Sequence, residues 1–378
     1  MIKLVDLNAQ YQSIKVEIDE AIARVISDAA FIGGRYVKTF EEEFAAYLGV
    51  KHCVGCANGT DALEILLKAL GIGPGDEVIV PAHTWISTAE AVTTSGATPV
   101  FVDATPRLYT IDVAQIEHHL TSRTKAIIPV HLYGHPAEMD AIMAIAECHG
   151  LKVIEDCAQA HGATYKGRKV GTIGHAAAFS FFPGKNLGAY GDAGGMVTND
   201  DSVAQLARMI ANHGRLGKFD HALEGRNSRL DGLNAAILSV KLRHLEAWTE
   251  ARRSLSERYN TLLAEEGIAA PICLPDCRHV YHLYVVEVPQ RDAVREFLAT
   301  RGVETGVHYP KALPFLKAYE RFGHRAEDFP VAFESASRIL SLPLFPELRS
   351  ETVSEIVKAL GSAGCAQAVG RGLDTKKT

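Results

Sequence analysis

Asn58-Gly59-Thr60-Asp61 follows the apolar run HCVGCA and opens a helical pattern. Gly59 lets a ligand approach the backbone, and Thr60 is read as the cap of a helix whose free N–H groups would hold an anion such as a phosphate. Ser180, in AAFSFF, is a second candidate for that phosphate. Trp85, after VIVPAHT, offers a flat face on which a ring can stack. Asp156 closes the run VIED, where a carboxylate is costly unless it meets a cation or hydrogen-bond donors. Lys185 lies in FFPGKNLGAYGDAGG, flanked by Pro183, Gly184 and Gly188. Desolvation in such a loop disfavours the ammonium form, and a neutral amine can form a Schiff base.

Taken singly, each residue has a commoner explanation: a plain helix cap, a core tryptophan, a capping aspartate, a surface lysine. The set outweighs its members. A phosphate anchor, a ring stacker, a carboxylate for a pyridine nitrogen and a Schiff-base lysine are what pyridoxal 5'-phosphate (PLP) needs. The carboxylate would keep the ring nitrogen protonated and the ring an electron sink.

The elements that must position these residues are short β-branched runs alternating with helical patterns. HCVGCA, EVIVPA, TPVFVDA, KAIIPVH, LKVIEDC, AAFSFF and GGMVTN are seven strand candidates, apolar on both faces, as in a mostly parallel sheet covered by helices. The expected class is α/β, doubly wound, with the ligand outside the carboxyl ends of the strands. The glycine-rich run Gly71–Gly75 precedes a strand, whereas a phosphate loop must follow one, so it is read as a turn. Past Asn234, AAILSVKLRHLEAWTEARRSLSERYNTLLAEEG reads as one long connecting helix, and YHLYVVEVP, RDAVREFLATRG and SETVSEIVKALGS as a smaller α+β domain. The expected division is a large cofactor-binding domain with an N-terminal segment over 1–248, a small domain over 249–364, and a disordered tail over 365–378.

The 378 residues are 47% hydrophobic and 22% charged with a formal net charge of -6, an ordinary globular balance with no basic surplus to bind nucleic acid. The opening residues lack the apolar core of a signal peptide and no stretch is apolar for long enough to span a bilayer, so a cytoplasmic protein with no membrane partner is expected. Seven scattered cysteines argue against a disulfide framework. Cys53/Cys56 and Cys273/Cys277 have metal-like spacing but no matching ligand pair, and Gly134 and Pro136 deny His131 and His135 a shared helix face. No metal is expected.

The motifs FIGGRYVKTFEEEFAAYLG, ANGTDALEILLKALGIGPGDEVIVPAHTWISTAEAV, VIEDCAQAHGATYKG, SFFPGKNLGAYGDAGG and GRNSRLDGLNAAIL resemble those of the DegT/StrS-type sugar aminotransferases. These are PLP enzymes of the aspartate aminotransferase fold, type I, and the likeness covers nearly the whole chain. It implies a seven-stranded, mostly parallel sheet in the large domain. It also implies Lys185 as the Schiff-base lysine, Asp156 as partner of the pyridinium nitrogen, and Gln159 as partner of the phenolic oxygen. Gly59, Thr60 and Ser180 would hold the phosphate, with Trp85 on the ring. Asn227, in GRNSRLD, matches a position that reaches the phosphate of the neighbouring subunit's cofactor, which implies a homodimer with composite sites. Arg35, where the family commonly has proline, is a candidate for diphosphate contact. Tyr190, Arg215, His308 and Tyr309 are substrate-pocket candidates by position.

The implied reaction moves the amino group of L-glutamate, released as 2-oxoglutarate, through pyridoxamine 5'-phosphate onto a nucleotide-linked keto sugar. The product would be an amino sugar for a polysaccharide or natural product. The opening LVDLNAQY looks more like the enzymes acting at sugar C3, on dTDP or UDP, than those acting at C4. The family's pyridoxamine-dependent dehydratases carry histidine in place of the lysine, and Lys185 argues against that branch. Some relatives are named as regulators, but this chain has no appended helix-turn-helix.

Overall fold

The computed structural model describes residues 1–364; the tail of residues 365–378, expected to be disordered, lies outside the described residues. All seven strand candidates form one sheet: β1 (His52–Cys56), β2 (Glu77–Pro81), β3 (Thr98–Val102), β4 (Thr124–Ile127), β5 (Lys152–Asp156), β6 (Ala176–Ser180) and β7 (Gly194–Thr198). Their spatial order is β1-β7-β6-β5-β4-β2-β3, and β7 alone runs antiparallel to its neighbours. Alternate residues enter two different cores: Val54, Val80, Ile154, Ala178 and Met196 face one side, while Cys53, Ile79, Val153, Ala177 and Val197 face the other. Burial on both faces explains why the strands read as continuous apolar runs.

Before the sheet come α1 (Leu7–Ser13), α2 (Lys15–Ser27) and α3 (Gly34–Leu48); within it lie α4 (Gly59–Ala69), α5 (Ser87–Thr94), α6 (Met139–His149) and α7 (Asp201–Ala211). The run Gly71–Gly75 is the turn between α4 and β2, with the Gly73 amide donating to Asp76 at 3.0 Å. The single long helix expected after Asn234 is instead two, α8 (Gly232–Leu242) and α9 (Leu245–Glu265). Arg243 and His244 form the corner between them, and both meet the Glu17 carboxylate of α2 at 2.8 Å. A helical pattern continues through both elements, so only this contact with a distant residue marks the bend.

The second half of α9 joins α10 (Arg291–Thr300), α11 (Ser350–Ser362) and a two-stranded antiparallel sheet, β8 (Tyr284–Glu287) with β9 (Ile339–Leu342). These share a separate core around Tyr259, Tyr284, Leu298, Leu340 and Ile356. The first residues of the chain lie along it, with the Ile2 amide donating to the Gly302 carbonyl at 2.7 Å and the Leu344 amide to the Leu4 carbonyl at 3.3 Å. Among the described residues, no helix is long and apolar enough to cross a membrane.

Candidate active site

The chemistry-bearing residues gather at the carboxyl ends of β1, β2, β5 and β6, where the parallel topology brings loops from different parts of the chain together. Asp156 is the last residue of β5 and is buried. One carboxylate oxygen accepts from the Thr88 hydroxyl at 2.9 Å and the other from the Ala158 amide at 3.1 Å. Among the described residues no cation bonds it directly, and burial raises its pKa against those two hydrogen bonds and the attraction of Lys185. It is a carboxylate placed for a positively charged partner.

Lys185 follows β6 in a tight loop closed by its own amide on the Phe182 carbonyl at 2.9 Å and by the Ala189 amide on the Phe181 carbonyl at 2.8 Å. Burial pushes the amine down to about 8, and the Asp156 carboxylate works in the opposite sense. The next residue, Asn186, anchors the loop: its amide nitrogen donates to the Val280 carbonyl at 3.1 Å and its oxygen lies 3.2 Å from His282 Nδ1. His161, His282 and His308 all feel the Lys185 charge, and burial holds His161 down at about 3 and His308 at about 4. Burial thus favours the neutral imidazole in all three.

Gly59, Thr60 and Ser180 lie at one place, and the expected cap needs one correction. The cap of α4 is Asn58, whose side chain accepts from the Asp61 amide at 2.8 Å; Thr60 is already inside the helix, and its hydroxyl donates to Ser87 at 2.7 Å. Any residue of Asn58-Gly59-Thr60-Asp61 can cap, and the extended backbone of Asn58 decides the matter. A Cβ on Gly59 would lie 2.7 Å from the Ser180 Cβ, so only glycine lets the start of α4 come this close to Ser180. Together they form a cradle of free backbone N–H groups and one hydroxyl.

Gln159 ties two regions together: its oxygen accepts from the Tyr133 amide at 2.6 Å and its nitrogen donates to the Tyr309 hydroxyl at 3.0 Å. Tyr309 packs against Trp85, ring centroids 5.5 Å apart, and Trp85 is 55% exposed, hence available to a flat ligand. His308 Nδ1 lies 2.8 Å from the Ser341 hydroxyl, while the His308 carbonyl accepts from the Tyr133 hydroxyl. Tyr190, 40% exposed, stands beyond Lys185 edge-on to Tyr11.

The remaining candidates are bonded elsewhere. Arg35 is exposed and paired with Asp28 and the Tyr36 hydroxyl. Arg215 donates at 2.8 Å to the Lys218 carbonyl and more weakly to that of Gly217, all within its own loop. Asn227 is exposed, bridged through its backbone to Asn212. Its neighbour Arg226 clamps that segment onto α4 through Asp61, at 3.0 Å, and Glu64.

Thr88, His161 and His282 lie outside the set that sequence spacing singled out. Thr88 sits three residues past Trp85, one step along the same turn into α5, and that spacing was a usable signal. His161 lies two residues past Gln159 in VIEDCAQAHG, and that closeness was also a usable signal, whereas His282 comes from a distant segment with no local mark. His131, Glu155 and Cys157 bring ligand-type atoms within 4.8 Å of one another, and His131 and Glu155 are the centre of a hydrogen-bond hub. Glu155 accepts from the amides of Gly171, Ile173 and Gly174 and from His131, whose other nitrogen accepts from the Ala137 amide. Cys53 and Cys56 are buried in β1, where burial raises both thiol pKa values.

The fold and this site define an aminotransferase of the PLP-dependent, type I class. Residues 12–361 match the DegT/DnrJ/EryC1/StrS aminotransferase family, and the chain belongs to it. It is 48% identical over 363 residues to a Geobacillus stearothermophilus protein named pleiotropic regulatory protein, covering 95% of this chain and 97% of the relative. It is 44% identical over 360 residues to dTDP-3-amino-3,4,6-trideoxy-alpha-D-glucose transaminase of Streptomyces venezuelae, covering 95% of each. The crystal structure of S. venezuelae DesV in complex with a ketimine intermediate matches with a TM-score of 0.93 at 44% identity, over 97% of this chain and 99% of that one.

The residues present fit PLP. An unpaired buried carboxylate, a lysine held partly neutral, a glycine-permitted anion cradle and an exposed indole supply one partner for each part of that molecule.

Proposed function

We propose that this protein transfers the amino group of L-glutamate to C3 of a keto-deoxy sugar carried on dTDP or UDP, in the cytoplasm, as a homodimer. The observation that carries this reading is the placing of Asp156 at the end of β5 and of Lys185 in the loop after the neighbouring strand β6, within electrostatic reach of each other, with the α4 cradle formed against Ser180. The cofactor would supply an electron sink for the carbon losing its proton. Asp156 holds a proton on the ring nitrogen, and Thr88 and the Ala158 amide hold Asp156. With the cofactor bound, the Lys185 amine would be the group that takes up and returns the proton, acting as general base and acid. The neutral histidines within its electrostatic reach add no positive charge to oppose its taking up that proton. Gly59, Thr60 and Ser180 hold the phosphate, Gln159 the phenolic oxygen, and Trp85 covers the ring.

Residues 1–248 carry these groups, and residues 249–364 add His308 and Tyr309, which we assign to the sugar side together with Tyr190. Arg35 and Arg215 are retained as diphosphate candidates, since charges paired only with exposed or backbone partners are free to exchange them for a phosphate. Asn227 would serve the partner's phosphate. A regulatory reading, favoured by the name of one relative, does not account for the complete set around Lys185.

The test is the absorbance spectrum of the purified protein. The visible band of the lysine-bound cofactor is expected to vanish on adding L-glutamate and return on adding a dTDP- or UDP-3-keto sugar. A band indifferent to glutamate and every other amino donor would overturn the reading.

A further inference from the structure

A lysine is almost never fully buried unless it is paired, yet Lys241 on α8 is only 1% exposed. Its ammonium donates to the Gly188 carbonyl at 2.6 Å and lies 4.3 Å from the centre of the Tyr190 ring. Both contacts fall on the stretch just after Lys185. That stretch cannot adjust easily: a Cβ on Gly188 would meet the Pro183 carbonyl oxygen at 2.3 Å, so the turn is wound tightly on itself. Glu347 is the acidic group whose charge reaches Lys241, and it also reaches Arg252, whose guanidinium donates at 2.9 Å to the Leu344 carbonyl. The buried oxygens of Glu347 make no hydrogen bond among the described residues.

We infer that Lys241 is a positioning residue, which fixes the loop carrying Lys185 by holding the Gly188 carbonyl and sets the Tyr190 ring at the mouth of the site. Glu347, although burial raises its own pKa, offsets part of the cost of burying this ammonium. An apolar side chain would cost less to bury here but could reach neither the carbonyl nor the ring face with a charge. Asn186 and Lys241 thus pin the chain at residues 186 and 188, immediately after Lys185.

The inference rests on the transaminase reading for its kinetic arm only. The second arm measures how fast hydroxylamine bleaches the visible band of the holoenzyme, which needs no amino donor or sugar. Loosening a reacting group by an ångström costs on the order of tenfold to a hundredfold in rate. Lys241→Met is therefore expected to lower kcat by about tenfold or more, with KM for the sugar nucleotide within about twofold, and to speed bleaching at least about fivefold. Lys241→Arg, which keeps a donor and the charge, should restore both to near the wild-type values. A Lys241→Met holoenzyme with wild-type bleaching overturns the inference, whether or not kcat falls, because a general loss of stability would not act on Lys185. Should Lys241→Met not fold, Lys241→Gln carries the test, with bleaching faster than wild type expected and an unchanged rate decisive against it. If even the wild type fails to transaminate, the bleaching comparison still decides the role of Lys241.

Discussion

Lys185 and Asp156 show how burial prepares two groups in opposite senses. Burial lowers the lysine to about 8 and raises the aspartate, so each charged form is less comfortable than in water. For the lysine, the neutral fraction of the cofactor-free protein at pH 7 is then roughly a tenth, against about one in three thousand for an unshifted lysine. The rate at which the apoprotein captures PLP should rise about tenfold per pH unit below 8 and level off above it. Stopped-flow capture that keeps climbing past pH 9 would contradict the burial of this amine. For the aspartate, the sign is reversed: a raised folded-state pKa means that ionisation opposes folding at neutral pH until a cation arrives. Asp156→Asn should leave the apoprotein melting at or above the wild-type temperature while abolishing turnover, and calorimetry of the apoproteins at pH 7 checks it. Asp156 was legible because it closes an apolar run, and Lys185 because it lies in a glycine- and proline-flanked loop just past one. His161 stood unremarked in the same VIEDCAQAHG stretch, and His282 comes from a segment that shows no pattern of its own.

At the scale of elements, the sheet was legible because strands buried on both faces must be apolar at every position, and all seven such runs became strands. Two helical features were not legible. The bend between α8 and α9 depends on Glu17, more than two hundred residues away, and the cap of α4 depends on which of four competent residues takes extended backbone. That helix start is nonetheless where an element-scale prediction is sharpest. In Gly59→Ala the new Cβ would sit 2.7 Å from the Ser180 Cβ and 3.1 Å from its Cα, and the cradle must open. PLP affinity is expected to fall about tenfold, ~1.4 kcal/mol, measured by cofactor titration of the apoprotein. An unaltered affinity would mean that the phosphate binds elsewhere.

At the scale of the whole molecule, Asn227 is exposed on a segment clamped by Arg226 to the helix that begins at the cradle. If it serves a neighbouring subunit, two crippled chains should repair each other. Lys185→Ala and Asn227→Ala homodimers should be inactive and impaired, respectively. A mixture reassorted at random should recover about a quarter of the wild-type sites, since half the dimers are mixed and each holds one intact site. Activity that is only the sum of the two parents would place Asn227 and Lys185 of the same chain in one site, or neither in any.

Three glycines bring backbone to backbone around the lysine: Gly59 against Ser180, Gly188 against Pro183, and Gly194, where a Cβ would fall 2.3 Å from the Asn58 carbonyl. None can accept a side chain without moving main chain. If Tyr190, His308 and Tyr309 face the sugar, as proposed above, new substrate preferences in this scaffold come from changing them. A laboratory selection for a different sugar should be randomised there, leaving the glycines untouched.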